Sequence, residues 1–287
     1  MKRFKRIYVE ITNACNLSCS ICPGTGREKK NMEPEVFDRI LTKIRPYTDY
    51  LYLHVMGEPL LNPHFPEILN FCGKHGFKVN IATNGVLIRR HKESLLESDS
   101  VRQINFSIHC LEIQRNSEIP PGYLRDILEF IREGRSRTEI IFALRLWNMK
   151  EGTSPAPAII SEIERFFSLP QKIADMNIKG KGIELAPKVF LNFGEEFVWP
   201  DQNYGVSEGK GFCRGLRDHC AILADGTVVP CCLDKDAAIP LGNILKSELQ
   251  DIIENAISKE IIRGFSEGRA VETLCKKCDF RKRFSNV

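Results

Sequence analysis

The sequence predicts an α/β protein: a partial (β/α)6 TIM-like barrel followed by a small C-terminal domain built from a β-hairpin and a helix. Three observations predict it. Strand-like and helix-like segments alternate over the first two-thirds of the chain, which implies a parallel sheet covered by helices. About six such units are present, too few for a closed eight-stranded barrel, so a curved and open one is expected. The alternation stops near residue 195, and the remainder has loop and turn character. The chain divides accordingly into 1–195, the barrel, and 196–287, a linker with the small domain.

Each element carries its own signal. Residues 7–11 read as the first strand. Residues 34–44 read as a helix, because Val36, Phe37, Ile40, Leu41 and Ile44 recur at helical spacing. There follow a strand at 50–55, a helix at 65–75, a strand at 78–82 and a short helix at 91–96. A strand at 101–108, a helix at 123–133, a strand at 139–146 and a helix at 158–167 continue the series. Residues 182–185, with 188–193, supply the last strand material. The stretch 194–212, rich in Gly, acidic and aromatic residues, looks like a linker or covering loop. In 221–230 the Asp225-Gly226 pair sits between apolar runs and favours a type I′ turn, hence a hairpin. Residues 249–262 read as one helix. The C-terminal part holds too little apolar material to fold alone, so metal binding would supply part of its folding free energy.

Hydrophobic residues make up 43% of the chain, enough for a core without disulfide staples. The charged N-terminal stretch lacks the apolar run of a signal peptide, and no segment approaches a membrane span. A cytoplasmic protein is expected. The net charge of +4 is mild. Basic clusters at Lys2, Arg3, Lys5 and Arg6, at Arg27, Lys29 and Lys30, and at Arg281, Lys282 and Arg283 read as solvated termini and loops. The alternative is a surface that meets phosphate or another anionic substrate. Eleven cysteines, an odd number with no export signal, argue against a disulfide framework and for metal ligation.

The first cysteine group is Cys15, Cys19 and Cys22, on the loop after the first strand. In a βα fold such loops form the active face. Three thiolates on one short loop can hold three irons of a cubane and leave the fourth iron to an external ligand. This CxxxCxxC spacing resembles the radical S-adenosylmethionine (SAM) superfamily over most of residues 5–195. The resemblance implies that SAM chelates the open iron of a [4Fe–4S] cluster and is cleaved reductively to a 5′-deoxyadenosyl radical, which abstracts hydrogen from a substrate. Ile21 stands where the superfamily often has an aromatic residue before the third cysteine, and it can still pack against adenine. Met56, Gly57 and Glu58 end the second strand, where the superfamily carries a Gly-Gly-Glu-like motif for the SAM ammonium; carbonyls and a carboxylate suit that cation. Thr83, Asn84 and Gly85 end the third strand. Ser107 and His109 end the fourth, where the family often places a polar contact to the SAM ribose. Arg145, on the fifth strand, suits the SAM carboxylate. His54 reads as a satisfied core residue, and Cys72 and Cys110 as core thiols on a helix and a strand.

The second group comprises Cys213, Cys231, Cys275 and Cys278, with Gly226 between the first two. It resembles the auxiliary-cluster extension called SPASM, or its shortened form, twitch. Similar arrangements occur in 2-deoxy-scyllo-inosamine dehydrogenase and in anaerobic sulfatase-maturating enzymes. The resemblance implies a second [4Fe–4S] cluster on these four thiolates. Cys220 and Cys232 are alternative ligands, and four thiolates ending in CxxC also suit structural zinc. The full pattern would add cysteines beyond the CxxC, and residues 279–287 hold none. The expected function is a radical SAM oxidoreductase that oxidises or cross-links a peptide or protein, or oxidises a small molecule. An external electron donor such as flavodoxin or ferredoxin is implied. The alternatives are RNA modification and a non-enzymatic zinc-dependent binding protein.

Overall fold

The computed structural model describes residues 4–113, 119–149, 157–176, 182–203 and 209–284. Lys2 and Arg3, and the side chain of Lys282, lie outside them.

The barrel is built from β1 (Arg6–Val9), α1 (Pro34–Ile44), β2 (Tyr50–Tyr52), α2 (Phe65–Lys74), β3 (Lys78–Thr83) and α3 (Lys92–Leu96). It continues with β4 (Val101–Phe106), α4 (Cys110–Ile113), α5 (Tyr123–Arg137), β5 (Ile141–Met149), α6 (Pro157–Phe167), β6 (Gly182–Ala186) and β7 (Val189–Glu195). The C-terminal part adds β8 (His219–Ile222), β9 (Thr227–Val229), β10 (Gly242–Asn243), α7 (Leu249–Ile253), α8 (Ala256–Ser266) and α9 (Thr273–Lys276).

The helices follow from their apolar stripes. In α1, Phe37, Ile40, Leu41 and Ile44 are buried, Pro34 sits in the first turn where its missing N–H costs nothing, and Lys43 meets the negative end of the dipole. The strands form one sheet of order β10-β9-β8-β1-β2-β3-β4-β5-β7-β6, open at both ends. Pairs from β1 to β5, and β5 with β7, are parallel. Ile7 and Val9 enter the main core with the helices, whereas Tyr8 points to the other face, as the two-residue period of a strand requires. There it joins Val55, Met56, Ala221, Leu223 and Val229 in a second, smaller cluster.

The structure refines the sequence reading at four points. The strand beside β5 is β7, and the 182–186 strand is its antiparallel outer neighbour, so the two segments of last strand material form a hairpin. The helix expected over 249–262 is broken at Asn255, whose side chain accepts from Ser258 N at 2.8 Å and donates to Leu241 O at 2.6 Å. Cys110 begins α4 and is not on a strand. Finally, the C-terminal hairpin extends the barrel sheet, because β8 pairs in parallel with β1 from Arg6 opposite His219 to Val9 opposite Ile222.

Candidate active site

The loop after β1 is shaped by its own polar side chains. Asn13 Nδ2 donates to Glu28 O at 2.8 Å and its Oδ1 accepts from Lys30 N at 2.8 Å, which closes the loop on itself. Within it, Leu17 N donates to Cys15 Sγ at 3.5 Å, and Cys22 N donates to Cys19 O at 3.1 Å. Burial raises the Cys15 thiol, and burial with the charges of Cys110, Cys15 and Cys22 pushes Cys19 up to about 12. Three thiolates this close repel one another unless cations stand between them. The donor set therefore fits the irons of a cubane.

The turn after β2 presses on this loop. Gly57 has φ of +79°, and a Cβ there would lie 2.6 Å from Thr12 O and 2.7 Å from Ala14 O. Glu58 N donates to Ala14 O at 2.8 Å. The Glu58 carboxylate is buried and already well supplied: it accepts from Leu60 N at 3.1 Å, Thr83 Oγ1 at 2.6 Å and Asn84 N at 2.6 Å. Burial raises it to about 7, against the pull of those hydrogen bonds. Met56 is buried in the second cluster, and its N–H donates to Glu10 at 3.0 Å. Asn84 Nδ2 donates to Asn16 Oδ1 at 2.8 Å and lies 3.9 Å from Cys15 Sγ, tying β3 to the thiol loop. Ser107 lines the same cavity, its N–H held by Thr83 O at 2.8 Å. His109 folds back on Arg145, its ring 3.1 Å from that residue's carbonyl. The Arg145 guanidinium lies 4.5 Å over the Trp147 ring, and burial lowers it to about 10.

In the C-terminal part, a Cβ on Gly215 would be 3.8 Å from both Cys213 Sγ and the Cys231 Cβ, so Cys213 and Cys231 flank the same glycine. Cys278 N donates to Cys275 O at 3.4 Å at the end of α9. Burial raises Cys231 well above its usual value, and Cys232, Cys213, Cys275 and Cys278 all add their charge to the effect. Cys213, Cys231, Cys275 and Cys278 all line the same cavity. Cys220 lies in the main core instead. Cys232 faces Tyr8 and Arg6; burial pushes it up to about 11, opposed by its hydrogen bond to Tyr8. Among the described residues no three His, Cys, Asp or Glu side chains converge on a single-ion site.

The seven candidate ligand thiols, together with Cys110 and Cys232, line one cavity of about 580 Å³. Its wall includes Arg6, Tyr8, Tyr52, His54, Trp147 and His219. Arg6 is therefore not part of a solvated terminus, and His54 is not a satisfied core residue, because its buried Nδ1 has no hydrogen-bond partner. Sequence reasoning also passed over Glu10. Its buried carboxylate receives Arg27 at 2.7 Å, Met56 N at 3.0 Å and Ala224 N at 3.2 Å, joining the barrel to the hairpin. Alternating polar residues at 6, 8 and 10, and again at 52 and 54, were the available signal.

An open parallel barrel with a three-thiol loop after its first strand and a second thiol group on an added hairpin defines an iron–sulfur enzyme. Residues 9–144 match the Radical SAM superfamily, and residues 213–279 match the iron–sulfur cluster-binding domain called SPASM. The chain belongs to the radical SAM superfamily and carries a SPASM domain, which brings SAM and [4Fe–4S] clusters as cofactors. It is similar to a probable GTP 3′,8-cyclase of Methanosarcina mazei, 24% identical over 88% of this chain and 85% of that protein. BtrN in complex with AdoMet and 2-DOIA has the same fold, with a TM-score of 0.60 and 16% identity over 97% of this chain and 94% of BtrN. The enzyme anSMEcpe with bound AdoMet superposes with a TM-score of 0.62 and 15% identity over 98% and 87%. No helix among the described residues is long and apolar enough to cross a membrane.

Proposed function

We propose that this chain is a cytoplasmic radical SAM oxidoreductase that oxidises a small molecule held between two cluster sites. Cys15, Cys19 and Cys22 hold the SAM-binding cluster, and Cys213, Cys231, Cys275 and Cys278 the auxiliary one. The observation that carries this reading is the single cavity of about 580 Å³ shared by both thiol groups. That volume lies in the range of about 300–1,000 Å³ usual for small-molecule sites. When bound, the cofactors supply a hydrogen-abstracting 5′-deoxyadenosyl radical on one side and an electron acceptor on the other. The chain's own residues orient and shield. Glu58 locks the turns after β2 and β3, so that the backbone at Met56 and Gly57 faces the SAM ammonium. Arg145 receives the SAM carboxylate, and Asn84 and Ser107 contact the rest of that ligand. Phe197 and Phe280, with ring centroids 5.2 Å apart, shield the auxiliary side from water. The reductant is a donor such as flavodoxin or ferredoxin.

A second reading has its own support. The likeness to a GTP 3′,8-cyclase over 88% of this chain favours radical rearrangement of a nucleotide without net oxidation. One experiment separates the two. The anaerobically reconstituted chain is given SAM, dithionite and deuterated small molecules, nucleotides or peptides, and deuterium entering 5′-deoxyadenosine identifies the substrate. A product lighter by two hydrogens supports oxidation, and an isomer of unchanged mass supports rearrangement. A peptide as the only deuterium source overturns the small-molecule assignment. No 5′-deoxyadenosine from a fully loaded chain overturns both readings.

A further inference from the structure

We propose that the wall around Arg6 is an oxyanion site, in which Arg6 binds a phosphate or carboxylate group of the small-molecule substrate; this rests on the function proposed above and names its substrate class. Arg6 opens β1, at the end of the strand away from the Cys15 loop, and its register partner on β8 is His219. Tyr8 is paired with Tyr52 on β2. These residues and His54 line one wall of the cavity. The Tyr8 ring lies 4.9 Å from Tyr52, 5.5 Å from His54 and 5.8 Å from His219. The Arg6 guanidinium packs over this cluster, 5.3 Å from the Tyr52 ring and 5.9 Å from Tyr8.

Charge is what makes the wall unusual. Among the described residues no carboxylate lies within 4.0 Å of Arg6 or Arg145, since neither joins any ion pair there. The acids that line the cavity are Glu58, Asp234 and Glu196. Glu58 is engaged as described, Asp234 accepts from Ala238 N at 2.7 Å and Ile239 N at 2.9 Å, and Glu196 is exposed. Arg6 Nε, His54 Nδ1 and His219 Nδ1 are buried and have no hydrogen-bond partner. Burial and the nearby arginines depress both histidines, His54 to about 3 and His219 to about 4, so at neutral pH they offer neutral ring nitrogens. Burial disfavours the Arg6 charge and a side-chain hydrogen bond to Tyr52 supports it, but no carboxylate faces it, so an incoming oxyanion adds charge-assisted hydrogen bonds in a partly desolvated setting. Arg145, nearer the strand ends, is taken by SAM; Arg6 remains for the substrate. From residue 6 to residue 10 a strand rises roughly 13 Å. A small molecule anchored at Arg6 thus extends its reacting carbon toward the thiol loop.

The test is calorimetric titration of the reconstituted, SAM-saturated chain with inorganic phosphate, pyrophosphate and acetate at fixed ionic strength. One site per chain is expected, weakened roughly ten- to hundredfold by Arg6→Gln. The exposed Arg125→Gln should leave it unchanged. Arg6→Lys keeps the charge without the forked geometry, and should weaken phosphate by a smaller factor, which serves if the glutamine variant does not load its clusters. A preference for phosphate over acetate points to a phosphoester substrate, and the reverse to a carboxylate. No binding by a chain that still cleaves SAM, or equal affinity in both Arg6 variants, overturns the oxyanion site and leaves the proposed function standing. Loss of SAM cleavage in the unaltered chain strikes the function instead.

Discussion

Gly57→Ala tests how tightly the turn after β2 is pressed against the thiol loop. The glycine's φ of +79° is a conformation that costs an alanine about 1–2 kcal/mol. Its new Cβ would meet Thr12 O at 2.6 Å, Ala14 O at 2.7 Å and Asn13 C at 2.8 Å. All three are backbone atoms, so no side chain can rotate away and the strand end or the loop must move. Overpacking of this kind costs about 1–3 kcal/mol more. The sum, about 2–5 kcal/mol, should lower the urea midpoint by roughly 1–2.5 M at a slope of about 2 kcal/mol/M. The displacement falls on the segment leading to Cys15, so SAM cleavage should drop with it while the auxiliary cluster persists. The assay pairs anaerobic urea unfolding with 5′-deoxyadenosine formation. An unchanged midpoint together with full SAM cleavage would refute the packing argument.

Three further outcomes are expected. Replacing Cys15, Cys19 and Cys22 together by Ala should abolish 5′-deoxyadenosine formation yet leave about four irons and four sulfides per chain; stoichiometric zinc without sulfide would instead mark the C-terminal thiols as a zinc site. Glu58→Gln turns an amide donor toward a backbone or hydroxyl donor, because Thr83 Oγ1, Leu60 N and Asn84 N all donate there. A stability loss of about 1–3 kcal/mol and weaker SAM binding by calorimetry should follow. His54 has its folded pKa depressed to about 3, so the unfolded chain binds the extra proton first and stability falls as pH drops below about 6.5. In His54→Phe the unfolding midpoint should therefore change less between pH 7 and pH 5 than in the unaltered chain, and equal slopes would contradict this.

What the sequence made legible was local. The α1 helix was readable end to end because its apolar spacing and Pro34 are both intrinsic signals. The CxxxCxxC spacing marked the first thiol loop, and the second group was read through its resemblance to SPASM and twitch extensions. Distant pairing was not. The expected helix over 249–262 looked continuous because Asn255 caps α8 partly through Leu241 O, an acceptor that only the folded chain supplies. Both segments of the last barrel hairpin read as strands, but the sequence does not say which one pairs with β5. Arg6 looked solvated because half of its surroundings, His219 and Cys232, come from the other end of the chain. The polar inner wall was missed for the same reason: each residue of it is unremarkable until the strands stand side by side.

The pairing of β8 with β1 has a consequence for synthesis on the ribosome. Lys5 and Asp218, joined at 3.0 Å beside that pair, are 213 residues apart. At roughly 5–20 residues per second, one edge of the first strand waits about 10–40 s for its partner to emerge. During that interval the nascent barrel presents a bare strand edge, the kind of surface that recruits other chains. Chaperone dependence should concentrate in this window, and chains truncated before His219 should aggregate even though every βα unit is already present.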